Sequence, residues 1–435
     1  MAVVTPLNWN LTKADLDGKC LILGDSQATI SSIRFTSQLP LIADEFSRTI
    51  MGHHIPGKAM NSVGNQVTSY TVTGVTHTEL TPGDAWSSGG DTTVHWNESR
   101  DIASNTNLAN FTDLLDCMAD ESDFDAFDLS GPLCFRAAFH NHADSQLRVS
   151  LKEKRGTTEG NNANYGNGGS GTNYAGDVDW DETGDIVICH KGIRGTTAMS
   201  GGSAEVGVII ETSGSDETDK QLRYLGGLLH KTGGTDATPD LTMPSSGTLF
   251  AWIARSGWSA YDLINNLATA ALDAMIDAAE GFDTIIIPLG HNTEDSGDHD
   301  DNMETLANKV LTRHSTLGYD APKIILTSMW SYDSNQARME AQADAVFTKA
   351  NANDWGFVNL YKTYNGDDPA TNGARFDGTP ATYTMDASNL HPANVTTSTN
   401  IARDFYEHFE DGNRVTVLET TNTPRSRIRD GLRQR

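Results

Sequence analysis

The sequence predicts an α/β protein: a three-layer parallel sheet with helices on both faces, interrupted by an inserted all-β domain of sandwich or jelly-roll type. Three observations predict it. After residue 247, short aliphatic runs alternate with amphipathic stretches, the rhythm of strand, helix, strand in a parallel sheet. Far upstream, Leu21-Ile22-Leu23 runs into Gly24-Asp25-Ser26, which reads as a buried strand ending in a sharp turn. Between the two, short alternating runs are separated by stretches rich in Gly, Ser, Thr and Asn, the texture of an antiparallel β unit.

Residues 1–19 form a lead-in to the first strand, at 20–25. Ile30, Ile33, Leu39, Ile42 and Phe46 give residues 28–52 a helical spacing interrupted near Pro40. Residues 61–110 are polar with short alternations, and 111–128 is expected to be a short helix. Strands are expected at Leu133–Phe139, Leu147–Leu151, Ile186–His190, Val206–Glu211 and Leu222–Leu229, with Gly156–Gly176 a loop by composition. The strand–helix alternation then resumes. Thr248–Ala254 is a strand, and 260–279 a helix with Leu263, Leu267, Ala271, Met275 and Ala278 on one face. Further strands follow at Asp283–Leu289, Lys323–Met329 and Phe357–Leu360, with helices at 301–316, 334–351 and 398–410. The expected organisation is therefore 1–59 and 247–415 as two parts of one α/β domain, 60–246 as the insertion, and 416–435 as a basic tail. Such an insertion is tolerable because loop closure costs entropy only logarithmically in length.

Bulk properties exclude some partners. The 435 residues carry 31 Lys and Arg against 58 Asp and Glu, a net charge of −27 that repels nucleic acid and anionic membrane. No run approaches the ~20 apolar residues of a membrane span, and residues 1–15 lack the basic and then apolar regions of a signal peptide. Cys20, Cys117, Cys134 and Cys189 form no Cys-x-x-Cys pair; Cys20 and Cys189 lie in apolar runs and read as buried free thiols.

A serine at the carboxyl end of a parallel strand sits where such sheets bind ligands. To act as a nucleophile it needs a base, donors for an oxyanion and usually a group to orient the base. The chain offers candidates at other strand ends: Gly257, Asn292 and His391. Gly24-Asp25-Ser26, Ser256-Gly257, Gly290-His291-Asn292 and His391-Pro392 resemble, in order, the four blocks of the GDSL/SGNH hydrolase superfamily. Each block is weak singly; their conjunction at predicted strand ends is stronger. The stretch between Gly257 and Asn292 also has room for one helix and one strand, as in that family. The resemblance covers roughly 1–55 and 248–412 and implies a flavodoxin-like sheet. It implies Ser26 as nucleophile, His391 as general base, and the Ser26 and Gly257 N–H groups with the Asn292 amide as oxyanion donors. Gly64, in Asn61-Ser62-Val63-Gly64-Asn65, is a rival for the glycine block.

One departure stands out. The family's acid normally lies three residues before the histidine, where this chain has Ser388; Asp386 lies five before. Either a bulge lets Asp386 orient His391, or the site is a Ser–His dyad, or the enzyme is impaired. The resemblance implies no cofactor and no metal. The His140-x-His142 pair stands alone and is not read as a metal site, and the acidic loop Glu294–Asp301 lacks EF-hand spacing and reads as a solvated loop capping the next helix.

Two functions compete. One is an ester hydrolase acting on a small ester or an O-acylated polysaccharide, with Trp86, Trp96, Tyr165, Tyr174 and Trp180 of the insertion available to stack on sugars. The other is a virion structural or receptor-binding protein, of bacteriophage tail or capsid, acting at a host cell surface as an assembly or homo-oligomer on the same scaffold.

Overall fold

The computed structural model describes residues 5–28, 33–56, 69–72, 75–79, 86–87, 100–103, 113–120, 129–140, 149–155, 158–159, 186–193, 205–212, 221–235, 238–292, 298–330, 336–365, 383–385 and 390–410. Six strands form the centre: β1 (Gly18–Gly24), β2 (Ile50–Pro56), β3 (Thr248–Ala254), β4 (Thr284–Pro288), β5 (Lys323–Ser328) and β6 (Gly356–Asn359). They lie parallel in the order β6-β5-β4-β1-β3-β2. β1 pairs in register with β3, Leu21 opposite Ala251 and Leu23 opposite Ile253.

The aliphatic runs are continuous because both faces of this sheet are covered. Cys20 and Ile22 of β1, Phe250 and Trp252 of β3, and Ile286 of β4 enter one core, with Phe35, Ile401, Phe405 and Tyr406. Their neighbours Leu21, Leu23, Leu249, Ala251 and Ile285 enter the other, with Leu263, Leu272, Met303 and Val310. The period of two thus sorts each strand between two helical layers. Helices α1 (Phe35–Gln38), α2 (Ala260–Asn266), α3 (Thr269–Ala278), α4 (His299–Leu317), α5 (Gln336–Ala352), α6 (Leu360–Asn365) and α7 (Val395–Glu410) supply those layers. The first core packs on α1, α6 and α7, and the second on α2, α3 and α4.

At the β2 edge the sheet continues antiparallel, through Gln221–Lys231 to Leu133–His140 and Ile186–Ile193. A second, antiparallel sheet runs in the order Thr158–Glu159, Val149–Arg155, Glu205–Thr212, Asp113–Asp120, Val75–Glu79, Ser69–Val72. Residues 60–246 therefore give strands both to this sheet and to the central one. Leu133, Phe135 and Leu229 share a core with β1 and β3.

Several elements differ from expectation. Instead of a helix over 28–52 there are α1, a 3-10 helix Pro40–Phe46, and β2. Pro40 sits at the first helical position, where its missing N–H costs nothing, and Ser47 ends the turn in the left-handed region at φ 57°. β2 escapes an aliphatic reading because Gly52, His53 and His54 occupy its middle. Gly52 is needed there, since a Cβ would lie 2.7 Å from the Leu229 carbonyl oxygen. Asp113–Asp120, read as helix, is a strand paired on both sides, by Val75–Glu79 and Glu205–Thr212. Pairing overrides its helix-forming Leu, Met and Ala. The helix expected over 260–279 breaks at Leu267, which is extended, and Lys309 Nζ donates to the Ile264 and Leu267 carbonyls at 2.9 and 2.7 Å. Those carbonyls would otherwise be left without helical partners.

Cys20 and Cys134 are buried free thiols. Gly64, Trp96, His142, Tyr165, Tyr174, Trp180 and the tail 421–435 lie outside the described residues, as do 293–297 of the acidic loop. Of Trp86, only the backbone, in the strand Trp86–Ser87, is described. Among the described residues no group of three His, Cys, Asp or Glu side chains could hold a metal ion, and no helix is long and apolar enough to cross a membrane.

Candidate active site

The chain order reverses around β1: β2 and β3 lie to one side, and β4, β5 and β6 to the other. This is a topological switch point, where open α/β sheets leave a crevice at the strand ends. Ser26 stands at the carboxyl end of β1. The turn that carries it is tight: a Cβ on Gly24 would lie 2.3 Å from the Ala28 Cβ. Ala28 N–H donates to the Asp25 carbonyl at 3.0 Å, and Gln27 N–H to Asp25 Oδ1 at 2.8 Å. Asp25 is fully buried, and burial pushes its carboxyl up to about 7, against the Gln27 N–H bond and the Arg34 guanidinium, which pull it down. The Gly24 carbonyl accepts from Arg255 N–H at 3.1 Å, tying the end of β1 to the segment after β3.

That segment carries Gly257, exposed, at φ +82°, with nothing within 4 Å of where a Cβ would stand. Ser259 then caps α2, accepting from Asp262 N–H at 3.2 Å. From the end of β4, Asn292 donates Nδ2–H to the Trp258 carbonyl at 3.3 Å. This bond occupies one of its two amide hydrogens and links the β4 loop to the Gly257 loop.

His391 precedes α7, whose start is capped by Asn394 Oδ1 accepting from Thr397 N–H at 2.8 Å. Ala393 N–H donates to the Thr384 carbonyl at 2.8 Å, and Met385 bridges Pro392, so the loop is held on its far side. His391 Nε2 lies 2.8 Å from Ser26 Oγ. Ser26 itself is only 4% exposed. With the imidazole proton on Nδ1, Nε2 accepts the serine O–H, the arrangement in which a base can take a proton as the oxygen attacks.

No protein-family model matches the sequence, and no curated protein matches it. Among solved structures, one of a peptidoglycan O-acetylesterase, described as "in action", superposes with a TM-score of 0.53 at 10% identity. The match covers 92% of this chain and 91% of that one. The chain has a GDSL/SGNH hydrolase-like fold. Smaller overlaps occur with a GDSL-like lipase from Bacteroides thetaiotaomicron, at TM-score 0.27, 15% identity and 36% of this chain against 75% of that one. A family two carbohydrate esterase from Cellvibrio japonicus gives TM-score 0.26 and 9% identity, covering 79% of this chain and 98% of that one.

Within the SGNH-like fold, the four sequence blocks fall at the ends of β1, β3 and β4 and in the loop before α7. Ser26 and His391 are brought into contact. Gly257 and Asn292 lie on loops tied to each other and to β1. Asp386 and Ser388, the candidates for orienting the histidine, lie outside the described residues. The sequence reading missed Gln27 and His291. Gln27 is buried beside Ser26; its Nε2 donates to the Leu390 carbonyl at 2.6 Å and lies 3.4 Å from His291 Nδ1. Only their adjacency to Ser26 and Asn292 could have drawn attention to them.

Proposed function

We propose that this protein is a serine ester hydrolase of the SGNH type. The observation that carries the reading is the 2.8 Å contact between Ser26 Oγ and His391 Nε2 at the switch point of the sheet. Ser26 Oγ attacks the ester carbonyl carbon while its proton passes to His391 Nε2. The carbonyl oxygen becomes an oxyanion received by the backbone N–H groups of Ser26 and Gly257 and the remaining amide hydrogen of Asn292. A glycine suits the second donor because the reacting group must come close to the main chain, and the space over Gly257 is open. The carbonyl re-forms, the C–O bond to the alcohol breaks, and His391 returns its proton to the departing oxygen. Water, deprotonated by His391, then attacks the acyl-serine; the carboxylic acid leaves and Ser26 regains its proton. Asp386 orients the imidazole, or the site is a Ser–His dyad in which a carbonyl or Ser388 supports the ring.

The substrate we propose is a carbohydrate bearing O-acetyl or another small acyl group. It is supported by analogy with the superposed peptidoglycan O-acetylesterase. The same reading takes 60–246 as an insertion within an SGNH unit formed by 1–59 and 247–415. It is supported by the pairing sense: the six central strands run parallel, whereas the strands of 60–246 pair antiparallel.

The test is hydrolysis of p-nitrophenyl acetate and release of acetate from O-acetylated polysaccharides, alongside fluorophosphonate labelling. We expect turnover and a single label on Ser26, both lost in Ser26→Ala. An intact protein that neither hydrolyses any small acyl ester between pH 5 and 9 nor takes up the label overturns the reading.

A further inference from the structure

Gln27 is fully buried between three parts of the site, and the reading just given leaves it without a role. Its side-chain amide faces two acceptors. The Leu390 carbonyl lies 2.6 Å from Nε2, and His291 Nδ1 lies 3.4 Å away. The His291 ring is itself oriented, because its Nε2 lies 2.8 Å from the Trp330 carbonyl and therefore carries the proton. In the neutral ring that leaves Nδ1 as an acceptor. Both neighbours of Gln27 Nε2 thus require an N–H, and a flipped amide would set Oε1 against a carbonyl oxygen and a ring lone pair. The cost of this orientation is visible: Gln27 Oε1 is buried with no hydrogen-bond partner among the described residues. A buried acceptor left unmade is rare and is tolerated where some other demand fixes the group.

Gln27 follows Ser26 and Leu390 precedes His391. One side-chain bond therefore runs alongside the Ser26–His391 bond and joins the same two loops, 363 residues apart in the chain. The two bonds differ in what the reaction does to them. The Ser26 hydroxyl bond disappears once Oγ is acylated, because the oxygen no longer has a proton to share. The Gln27 bond touches no reacting atom and persists. We propose that Gln27 is a positioning residue that clamps the His391 loop onto the serine turn. It matters most in the acyl-serine state, when His391 must stay in place to activate water. The proposal rests on the esterase reading for its kinetic consequence, but its geometric consequence stands independently.

The test uses the full-length chain with Gln27→Met, which keeps the volume and removes both donors, and Gln27→Glu as the second variant. In crystals of Gln27→Met we expect His391 Nε2 to lie beyond hydrogen-bond reach of Ser26 Oγ or to occupy two positions. With p-nitrophenyl acetate we expect kcat to fall on the order of 10- to 100-fold, with KM falling rather than rising because the acyl-serine accumulates. Deacylation should slow more than acylation, so that a burst of p-nitrophenol appears. Gln27→Glu should recover activity relative to Gln27→Met as pH falls, since a protonated carboxyl can donate to the Leu390 carbonyl. An unmoved His391, or a kcat within twofold of the parent protein, overturns the clamp. A parent protein without turnover overturns the esterase reading, and the Ser26–His391 distance in the variant crystals then decides the clamp. If Gln27→Met does not fold, the same distance in Gln27→Glu crystals at neutral pH decides it.

Discussion

Ser26 Oγ and His391 Nε2 lie 2.8 Å apart although 365 residues of chain separate them. The contact is possible because β1 occupies the middle of the parallel sheet and the loop before α7 returns to its carboxyl end. The second sheet and the antiparallel extension lie between β2 and β3 in the chain. They lengthen the sequence without parting the two ends of the site.

The pair should behave as one unit. Ser26→Ala and His391→Ala should each lower kcat for p-nitrophenyl acetate by about 10³-fold or more. The double variant should be no worse than Ser26→Ala, because a base with no nucleophile to serve contributes nothing. Steady-state kinetics on the three variants check this. Multiplying losses would mean that the two residues act on separate steps, and the contact would lose its catalytic meaning.

Asn292 and Gly257 separate catalysis from stability. Asn292→Ala removes the amide proposed to meet the oxyanion, and should lower kcat about 10²- to 10³-fold. Its described bond, 3.3 Å to the Trp258 carbonyl, is long, so thermal unfolding should shift little. Gly257→Ala meets no atom within 4 Å, but it forces an L side chain to φ +82°. That conformation costs about 1–2 kcal/mol, which should appear in the unfolding temperature together with a loss of activity. If Asn292→Ala keeps full kcat, the oxyanion is received elsewhere.

The sequence and the structure agree best where burial is symmetrical. Leu21-Ile22-Leu23 and Thr248–Ala254 are legible because a strand covered on both faces must be apolar throughout. β2 is equally buried, yet it carries Gly52, His53 and His54. The histidines are admitted as neutral rings, and the His54 ring is stacked on Trp252 and accepts, at Nδ1, from the Trp252 backbone N–H at 3.2 Å. No local pattern announces such a strand. Asp113–Asp120 hides its strand for the same kind of reason: its propensities are helical and its pairing partners are distant in the chain. In the site, Ser26, Gly257, Asn292 and His391 each belong to a recognisable block. Gln27 could not be found this way, since its acceptor is the main chain of Leu390, and a backbone carbonyl has no sequence signature.

Arg136 joins the antiparallel extension to the α/β layers. Its side chain is 1% exposed, and it donates to the Ala278 and Leu241 carbonyls at 2.9 and 2.6 Å and to Glu280 Oε1 at 2.6 Å. Ala278 ends α3, so the guanidinium also sits favourably at the negative end of that helix. Arg136→Met keeps the stem and removes the charge, leaving the buried Ala278 carbonyl and the half-buried Leu241 carbonyl without this donor. Chemical denaturation should show a loss of about 3 kcal/mol. Ser26 labelling should survive below the lowered transition, because Arg136 touches no site residue. Unchanged stability would show that the arginine's burial costs as much as its bonds return.

Asp25 should give the folded protein a pH dependence opposite to that of its buried histidines. Burial holds the Asp25 carboxyl at about 7, above the usual carboxylate range, so the folded chain keeps a proton there that the unfolded chain gives up near pH 4. Its contribution is therefore fully present below pH 4 and is lost as pH rises to about 7. His53 and His54, pushed down to about 3 by burial, work the other way: their contribution is present above about pH 6.5 and is lost as pH falls toward 3. The two trends partly mask each other in the parent protein. Asp25→Asn separates them, because asparagine keeps an acceptor for the Gln27 N–H but cannot ionise. Relative to the parent, the variant should gain stability steadily from pH 4 to pH 7 and no further above it. The total gain should be on the order of 4 kcal/mol, the equivalent of a three-unit displacement. Denaturant unfolding of both proteins at unit intervals from pH 4 to 8 measures it. A stability difference that does not change with pH would show that Asp25 ionises in the folded protein as it does in the unfolded chain.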